Sequence, residues 1–276
     1  MIHRSRRATA PSRLAATVLV ALLTTLGSPV LLAAQDGLPL QEGSVLTVVG
    51  FGAPHTLIEF SASGEELGRL VIDDPDGLIS SPSGLTLVGN QLWVTGSNNV
   101  NRINLTSGLA SLGFQIVEQI SLTALADSGE FLLVGDIHPD RVLRFDGSGK
   151  LQDTVVLDPE VSMTGLDTDG SKLFVTSYQT GNVHVFDLDG HQVGVIPTEL
   201  GAGTLTGVSL DRDGRSLWVT TGTGINDILH FDLNGQPLGS FRVTADATMG
   251  LHAVGSALFV DGFEAGNTDA WTLTTP

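Results

Sequence analysis

Cysteine is absent from this chain of 276 residues, which excludes disulfides, thiolate metal sites and a lipid-modified cysteine anchor. Cations are scarce: thirteen Lys and Arg stand against thirty Asp and Glu. A surface that tracks phosphates needs clustered cations to displace counterions, and anionic lipid repels the same excess of acid. Nucleic acid and membrane surfaces are therefore excluded as partners. Apolar residues at helical spacing are missing beyond the first thirty-odd positions, and no run after them is apolar enough to span a bilayer.

The first residues carry an export signal instead of a folded element. Arg4, Arg6, Arg7 and Arg13 precede an apolar run from Leu14 to Leu32, and Ala33 and Ala34 offer a cleavage site. Thr24, Thr25, Gly27, Ser28 and Pro29 interrupt the run, which argues against a membrane anchor. The expected division is a signal peptide at 1–34 and one domain at 35–276, in a secreted or periplasmic protein. Four of the thirteen cations and none of the thirty acids fall in the leader. Such acidity keeps an exported chain soluble and disfavours like-charged partners, so a monomer is expected.

What the chain does have is repetition. "TGLDTDGSKLFVTSYQTGNVHVFDLDG", from Thr164 to Gly190, is echoed by "TGVSLDRDGRSLWVTTGTGINDILHFDLNG", from Thr206 to Gly235. Aligning the apolar centres Thr47, Trp93, Leu133, Phe174, Trp218 and Phe259 gives spacings of 46, 40, 41, 44 and 41. A second run follows each of the first five, ending at Phe60, Ile103, Phe145, Phe186 and Phe231, and then a glycine-bearing turn. These runs alternate, are rich in β-branched and aromatic residues, and are bounded by Asp, Asn, Ser and Gly, so they read as strands joined by hairpins. Four antiparallel strands per repeat of 40 to 45 residues define an all-β chain, a β-propeller of four-stranded blades. One blade cannot bury both its faces, and radial stacking covers them.

The number of blades depends on closure. The first repeat, Val45 to Ile72, lacks an inner strand, and Met249 to Val254 supplies one near the end of the chain. If these complete each other, the ring has five blades and Gly255 to Pro276 is a tail. If Ala257–Val260 and Ala270–Leu273 are strands of a further blade, it has six. Leu273 lies 42 residues beyond Phe231, in phase with the repeat, which favours six, with 257–276 as the last partial blade.

The stretch "PSGLTLVGNQLWVTGSNNVNRINLTSG", Pro82 to Gly108, resembles an NHL repeat, in which Pro-x-Gly leads the inner strand and an Asn-Arg-Val segment leads to a closing turn. The resemblance covers most of Val45 to Val254. It implies a propeller of the kind also used by streptogramin lyase-like and gluconolactonase-like proteins, whose ligands sit over the central channel. The ending "LFVDGFEAGNTDAWTLTTP" is similar to the Asp-Gly-Phe-Glu-Ser-Gly tail of exported bacterial proteins, with Ala265 in the place of Ser.

In a propeller the loops between second and third strands share one face with the linkers between blades, and that face is the usual ligand site. Here those loops carry His55, Asn98, Asp136, His138, Tyr178, Asn226 and Asp227, the candidate ligand-binding residues. Asp136 and His138 have the types needed for a base and its orienting carboxylate, but the expected role for both is to stabilise the turn before Pro139. No catalytic residue is assigned, because neither a Gly-x-Ser-x-Gly elbow nor a His pair at ligand spacing is present. The gluconolactonase-like resemblance implies a divalent metal on Glu, Asn and Asp after an early Glu-Gly-Pro; Glu42-Gly43 lacks that proline. The turns at Asp167, Asp187 and Asp211 open like calcium loops without the distant Glu that completes the cage, and fall where hairpins need Asp and Gly. Trp93 and Trp218 are expected between blades, and His184, His191 and His230 in structural or solvent-facing positions.

The expectation is thus an exported, non-catalytic module that recognises a protein, glycan or small polar ligand through its channel-face loops, without a resident cofactor. The alternative is a metal-assisted lactonase- or lyase-like enzyme, since a divalent cation is compatible with the loop carboxylates.

Overall fold

A computed structural model describes residues 38–255 other than 51–53, 90, 119, 212–213, 223–225 and 245–247. The described residues form twenty strands, and among them no helix is long and apolar enough to cross a membrane. The first blade contains β1 (Val45–Val49), β2 (Thr56–Phe60) and β3 (Glu66–Val71). The second runs through β4 (Leu85–Val88), β5 (Gln91–Thr95), β6 (Asn99–Ile103) and β7 (Ala110–Gln115). The third comprises β8 (Leu122–Asp127), β9 (Leu132–Ile137), β10 (Asp140–Phe145) and β11 (Leu151–Val156). The fourth is β12 (Met163–Thr168), β13 (Lys172–Ser177), β14 (Val183–Asp187) and β15 (Gln192–Ile196). The fifth is β16 (Leu205–Leu210), β17 (Ser216–Thr221), β18 (Asp227–Asp232) and β19 (Pro237–Arg242), and β20 (Thr248–Ala253) follows.

β20 returns to the first blade, where it pairs antiparallel with β1, Val45 opposite Ala253 and Thr47 opposite Leu251. Five four-stranded sheets result. Their inner strands pack in the order β4, β8, β12, β16, β20 and back to β4, so the ring closes on itself. The expectation of six blades is corrected to five. The phase of Leu273 misled because the repeat continues in sequence past the point where the ring is complete in space. The strands expected at 257–260 and 270–273 lie outside the described residues.

Two belts of close contact explain the recurring small residues. Around the axis, Gly84, Ala124, Gly165, Gly207 and Gly250 occupy one level of the inner strands. A Cβ on Gly84 would lie 2.5 Å from the backbone of Ala124, and one on Gly165 2.7 Å from the Cα of Gly207. One on Gly250 would meet Leu85 at 2.9 Å, across the closure. At the rim, the glycine of each outer hairpin packs against the outer strand of the preceding blade. Gly108 abuts the Val71 carbonyl, Gly149 the Phe114 ring, Gly190 the Val156 carbonyl, Gly235 the Pro197 carbonyl, and Gly64 the Phe241 ring. At Gly190, with φ of 93°, a side chain is opposed twice over, by backbone conformation and by the neighbouring blade.

Apolar seams fill the space between blades. Trp93 joins Leu122, Leu132 and Phe145 of the third blade, and Trp218 joins Val45, Ile58 and Phe60 of the first, as expected for both tryptophans. Each carries a basic side chain on its ring. The Arg102 guanidinium lies 4.6 Å from the Trp93 ring centre, and His230 stacks on Trp218 at 3.9 Å with 5° between planes. Asp211 anchors the second pair, accepting hydrogen bonds from Trp218 Nε1 at 3.0 Å and the Ser216 hydroxyl at 2.6 Å, with His230 Nε2 at 2.9 Å.

The acidic turns are built from their own carboxylates. Asp187 accepts the backbone N–H groups of Asp189 and His191, and Asp232 those of Asn234 and Gln236. The His191 and Gln236 amides are the chief reason that these two exposed carboxyls sit below their ordinary range. Asp167 is the opposite case. Burial at the end of β12 is the largest influence and pushes its pKa up to about 6, against bonds from the Leu210 and Thr168 amides and the Ser209 hydroxyl, with Asp127 nearby adding to the rise.

The sign of the linkage follows. With the folded value near 6 and the ordinary carboxyl value 3.8, the contribution of Asp167 is intact below about pH 4 and is lost as pH rises through about 6, by roughly 3 kcal/mol. Urea midpoints at pH 4 and pH 7 are expected to differ less in Asp167→Asn than in the parent chain. An identical pH dependence in the two proteins would show that Asp167 ionises as freely in the fold as in the unfolded chain.

Candidate functional site

Because the strands of each blade alternate in direction, the loops after β1, β5, β9, β13 and β17 gather with the inter-blade linkers at one end of the ring. In the third blade it is built on charged side chains. Asp136 is the next-to-last residue of β9, and its fully buried carboxylate faces Arg141 Nε at 2.9 Å and accepts the Ser121 amide at 2.9 Å. Arg141 reaches on to Glu118 at 3.0 Å. Partial burial works against its charge, but the bonds to Asp136 and Glu118 outweigh it and raise its pKa. The linker at 116–121 is thereby tied to the turn at 138–139.

Asp140, the first residue of β10, is buried in the same blade and holds the next linker. Its carboxylate accepts the backbone N–H groups of Val161 at 2.5 Å, Ser162 at 2.6 Å and Met163 at 2.9 Å. A comparable clasp in the first linker is Asp74, which accepts the Leu78 and Ile79 amides. Neither acid was distinguishable in the sequence from an ordinary loop carboxylate.

The candidate residues are spread over all five blades. His55 is buried, with Nδ1 3.1 Å from the Gly50 carbonyl and Nε2 3.0 Å from that of Ile79. Asn98 is exposed and its carbonyl accepts the Ile116 amide. Asp136 touches the backbone N–H of His138 at 3.4 Å, while the His138 side chain is exposed, so the carboxylate is committed to Arg141 and to the turn. Tyr178 is half exposed above Gly203. Asn226 adopts a positive φ of 52°, and Asp227 pairs with Arg242 at 2.8 Å. Only Asp136 with His138, and Asn226 with Asp227, are brought together. Among the described residues no three His, Asp or Glu side chains converge as a metal site.

The mouth of the channel carries a signal that was legible but unread. The residue just before the small inner-strand position is Ser83, Thr123, Thr164, Thr206 or Met249, and all five are partly exposed between buried neighbours. Four hydroxyl-bearing residues therefore border the axis, although the Thr123 hydroxyl itself is buried. Three of them also clasp the next blade: Ser83 donates to the Leu122 carbonyl at 2.8 Å, Thr164 to Leu205 at 2.9 Å and Thr206 to Thr248 at 3.1 Å. Thr95, Thr176 and Thr220 support them from the second strands. In the third blade Gly135 takes that supporting position, and the Thr123 hydroxyl has no protein partner. Exposed Asp73, Asp76, Glu118, Asp158, Glu160 and Glu199 stand in the surrounding linkers.

A closed ring of five blades with short loops, a hydroxyl-bearing channel mouth and carboxylates in its linkers defines a small β-propeller protein. No protein-family model matches the chain, and no curated protein matches it in sequence. Among solved structures it is similar to a chain of the nidogen–laminin complex, with 13% identity, TM-score 0.53, and coverage of 76% of this chain and 97% of that one. Virginiamycin B lyase from Staphylococcus aureus aligns with 16% identity and TM-score 0.45, over 75% of this chain and 72% of its own. Glutaminyl cyclase from Myxococcus xanthus aligns with 16% identity and TM-score 0.47, over 69% and 75%. The likeness to the nidogen–laminin chain is one of fold, and the five four-stranded blades give the propeller that the repeat led one to expect.

Proposed function

We propose that the protein is an exported, non-catalytic binding module that recognises a protein, glycan or small polar ligand with its loop face. One observation carries this reading: the buried acids Asp136 and Asp140 and the partly buried Arg141 hold linkers and turns in place. Groups spent in this way make a rigid rim, and a preorganised rim lowers the ordering cost of recognition. The exposed carboxylates of the linkers, among them Asp76, Glu118 and Glu160, suit a partner rich in hydrogen-bond donors. Export rests on the arginine-bearing leader at 1–34.

The test is a glycan array and a protein pull-down with the chain from Gln35 onward, followed by titration of any hit. Tyr178→Ala and Asn98→Ala are expected to weaken binding at least tenfold while leaving the melting temperature unchanged. Affinity indifferent to both changes would place recognition elsewhere. Turnover of a lactone with an added divalent metal, abolished by Glu118→Gln or His138→Ala, would make the protein an enzyme and overturn the reading.

A further inference from the structure

We propose that His55 is a proton-operated clasp on the loop face: carrying two protons it ties the loop after β1 to the linker between the first and second blades, and carrying one it releases one of the two. The ring is buried, and both of its nitrogens are aimed at backbone carbonyls, Nδ1 at Gly50 at 3.1 Å and Nε2 at Ile79 at 3.0 Å. A backbone carbonyl accepts hydrogen bonds and never donates them. A neutral imidazole has one N–H and one lone pair, so either tautomer sets a lone pair against a carbonyl oxygen. The imidazolium has two N–H groups and satisfies both carbonyls. The buried ring of His184 is under no such demand. Its nitrogens meet the Thr180 hydroxyl at 2.9 Å and Gln192 Oε1 at 2.8 Å, and a hydroxyl donates as readily as it accepts, so a neutral ring is satisfied there. His230 has one nitrogen on the Asp211 carboxylate, which a single N–H serves.

Imidazole is the side chain that exchanges its second proton between about pH 5 and pH 8, so pH sets the number of bonds in the clasp. It is complete at acidic pH and loses one bond as pH rises. The linker it holds is fastened elsewhere by the Ile72 amide on the His55 carbonyl and by the Asp74 carboxylate on the Leu78 and Ile79 amides. Beyond Ile79, the Ser80 hydroxyl meets that of Ser97 in the loop after β5, next to Asn98. Release of Ile79 therefore loosens the linker where it borders a candidate binding residue. The titratable groups on the connections packed against the ring are Asp73, Asp74 and Asp76, and the stretches 50–55, 72–80 and 96–99 contain no Lys or Arg. Further along β2 and β3, Glu59 is engaged by the Leu40 and Gln41 amides, and Glu66 by Arg69. The charge around the ring is thus negative and complements an imidazolium, as a buried charge requires. The clasp follows from the two carbonyls and holds whatever the loop face binds.

Two measurements on the protein, at about pH 5.5 and about pH 8, test the clasp. Nitrogen NMR of the histidine rings is expected to show His55 with two N–H groups at the lower pH and one at the higher. Amide hydrogen exchange, corrected for its intrinsic pH dependence, is expected to show protection at Ile72, Leu78 and Ile79 falling at least fivefold between the two. Asp167 titrates in the same range, but it lies in the fourth blade and bears on global stability, so local exchange is read in place of a melt. In His55→Gln a single amide nitrogen replaces the two on opposite sides of the ring and reaches one carbonyl alone, and protection of the three amides is expected to be the same at both pH values. A His55 ring that keeps one protonation state across the range, charged or neutral, overturns the proposal. So does unchanged protection in the parent chain, or a change that persists undiminished in His55→Gln. If the glutamine variant does not fold, the first two outcomes still decide, because both are read on the parent chain.

Discussion

Asp140→Ala is expected to lower the stability of the folded chain by roughly 3 kcal/mol or more, since it strips the acceptor from three backbone N–H groups at Val161, Ser162 and Met163. The cost arises because the linker between the third and fourth blades cannot rehydrate those groups without pulling β12 away from its neighbours. Asp140→Asn keeps one acceptor oxygen and is expected to lose less. Urea denaturation read by tryptophan fluorescence measures both. A loss below about 1 kcal/mol for the alanine variant would mean that water or another carbonyl replaces the carboxylate at little cost.

Two glycine-to-alanine changes are expected to move stability in opposite directions. At Gly165 a methyl group would stand 2.7 Å from the Cα of Gly207 and 2.8 Å from the Val208 nitrogen. These are backbone atoms of the adjacent inner strand and cannot swing aside. The ring must spread, at a cost of about 1–3 kcal/mol or more. At Gly194 the same methyl meets only Val185 at 3.8 Å, and the lost flexibility of the unfolded chain should gain about 0.4–1 kcal/mol. Paired thermal melts check both. A neutral Gly165→Ala would show that the inner strands are less crowded than a ring of five requires.

The strands, their hairpins and the inter-blade place of Trp93 and Trp218 were legible in the sequence because each is a local pattern repeated at a fixed period. Closure was not. The pairing of Val45 with Ala253 joins residues from the two ends of the domain, and no local signal separates it from continuation of the repeat through Leu273. The sequence expected His55, Asn98, Asp136, His138, Tyr178, Asn226 and Asp227 in the loops of one face; Asp136 lies instead within β9 and Asp227 begins β18, and the sequence could not sort the seven by role. His55 and Asp136 are buried, while Asn98 and His138 face solvent. The bonds from Arg141 to Glu118, 23 residues away, and from Asp140 to Met163, also 23 away, exist only once the blades are stacked. The hydroxyls at Ser83, Thr123, Thr164 and Thr206 recur at spacings of 40, 41 and 42. They could have been found by asking which position of the repeat keeps a polar residue beside an invariably small one.

The five-bladed ring is tested most directly by two truncations of the chain from Gln35, one ending at Gly255 and one ending at Val243, each unfolded in urea beside the chain that continues to Pro276. With β20 retained, the first is expected to unfold in a single cooperative transition with the slope of the longer chain. Without β20, the second loses the partner of β1 and the contact with β4, and its cooperative transition should disappear. Loss of cooperativity already in the chain ending at Gly255 would contradict a ring closed by β20 and would return the residues beyond it to the fold.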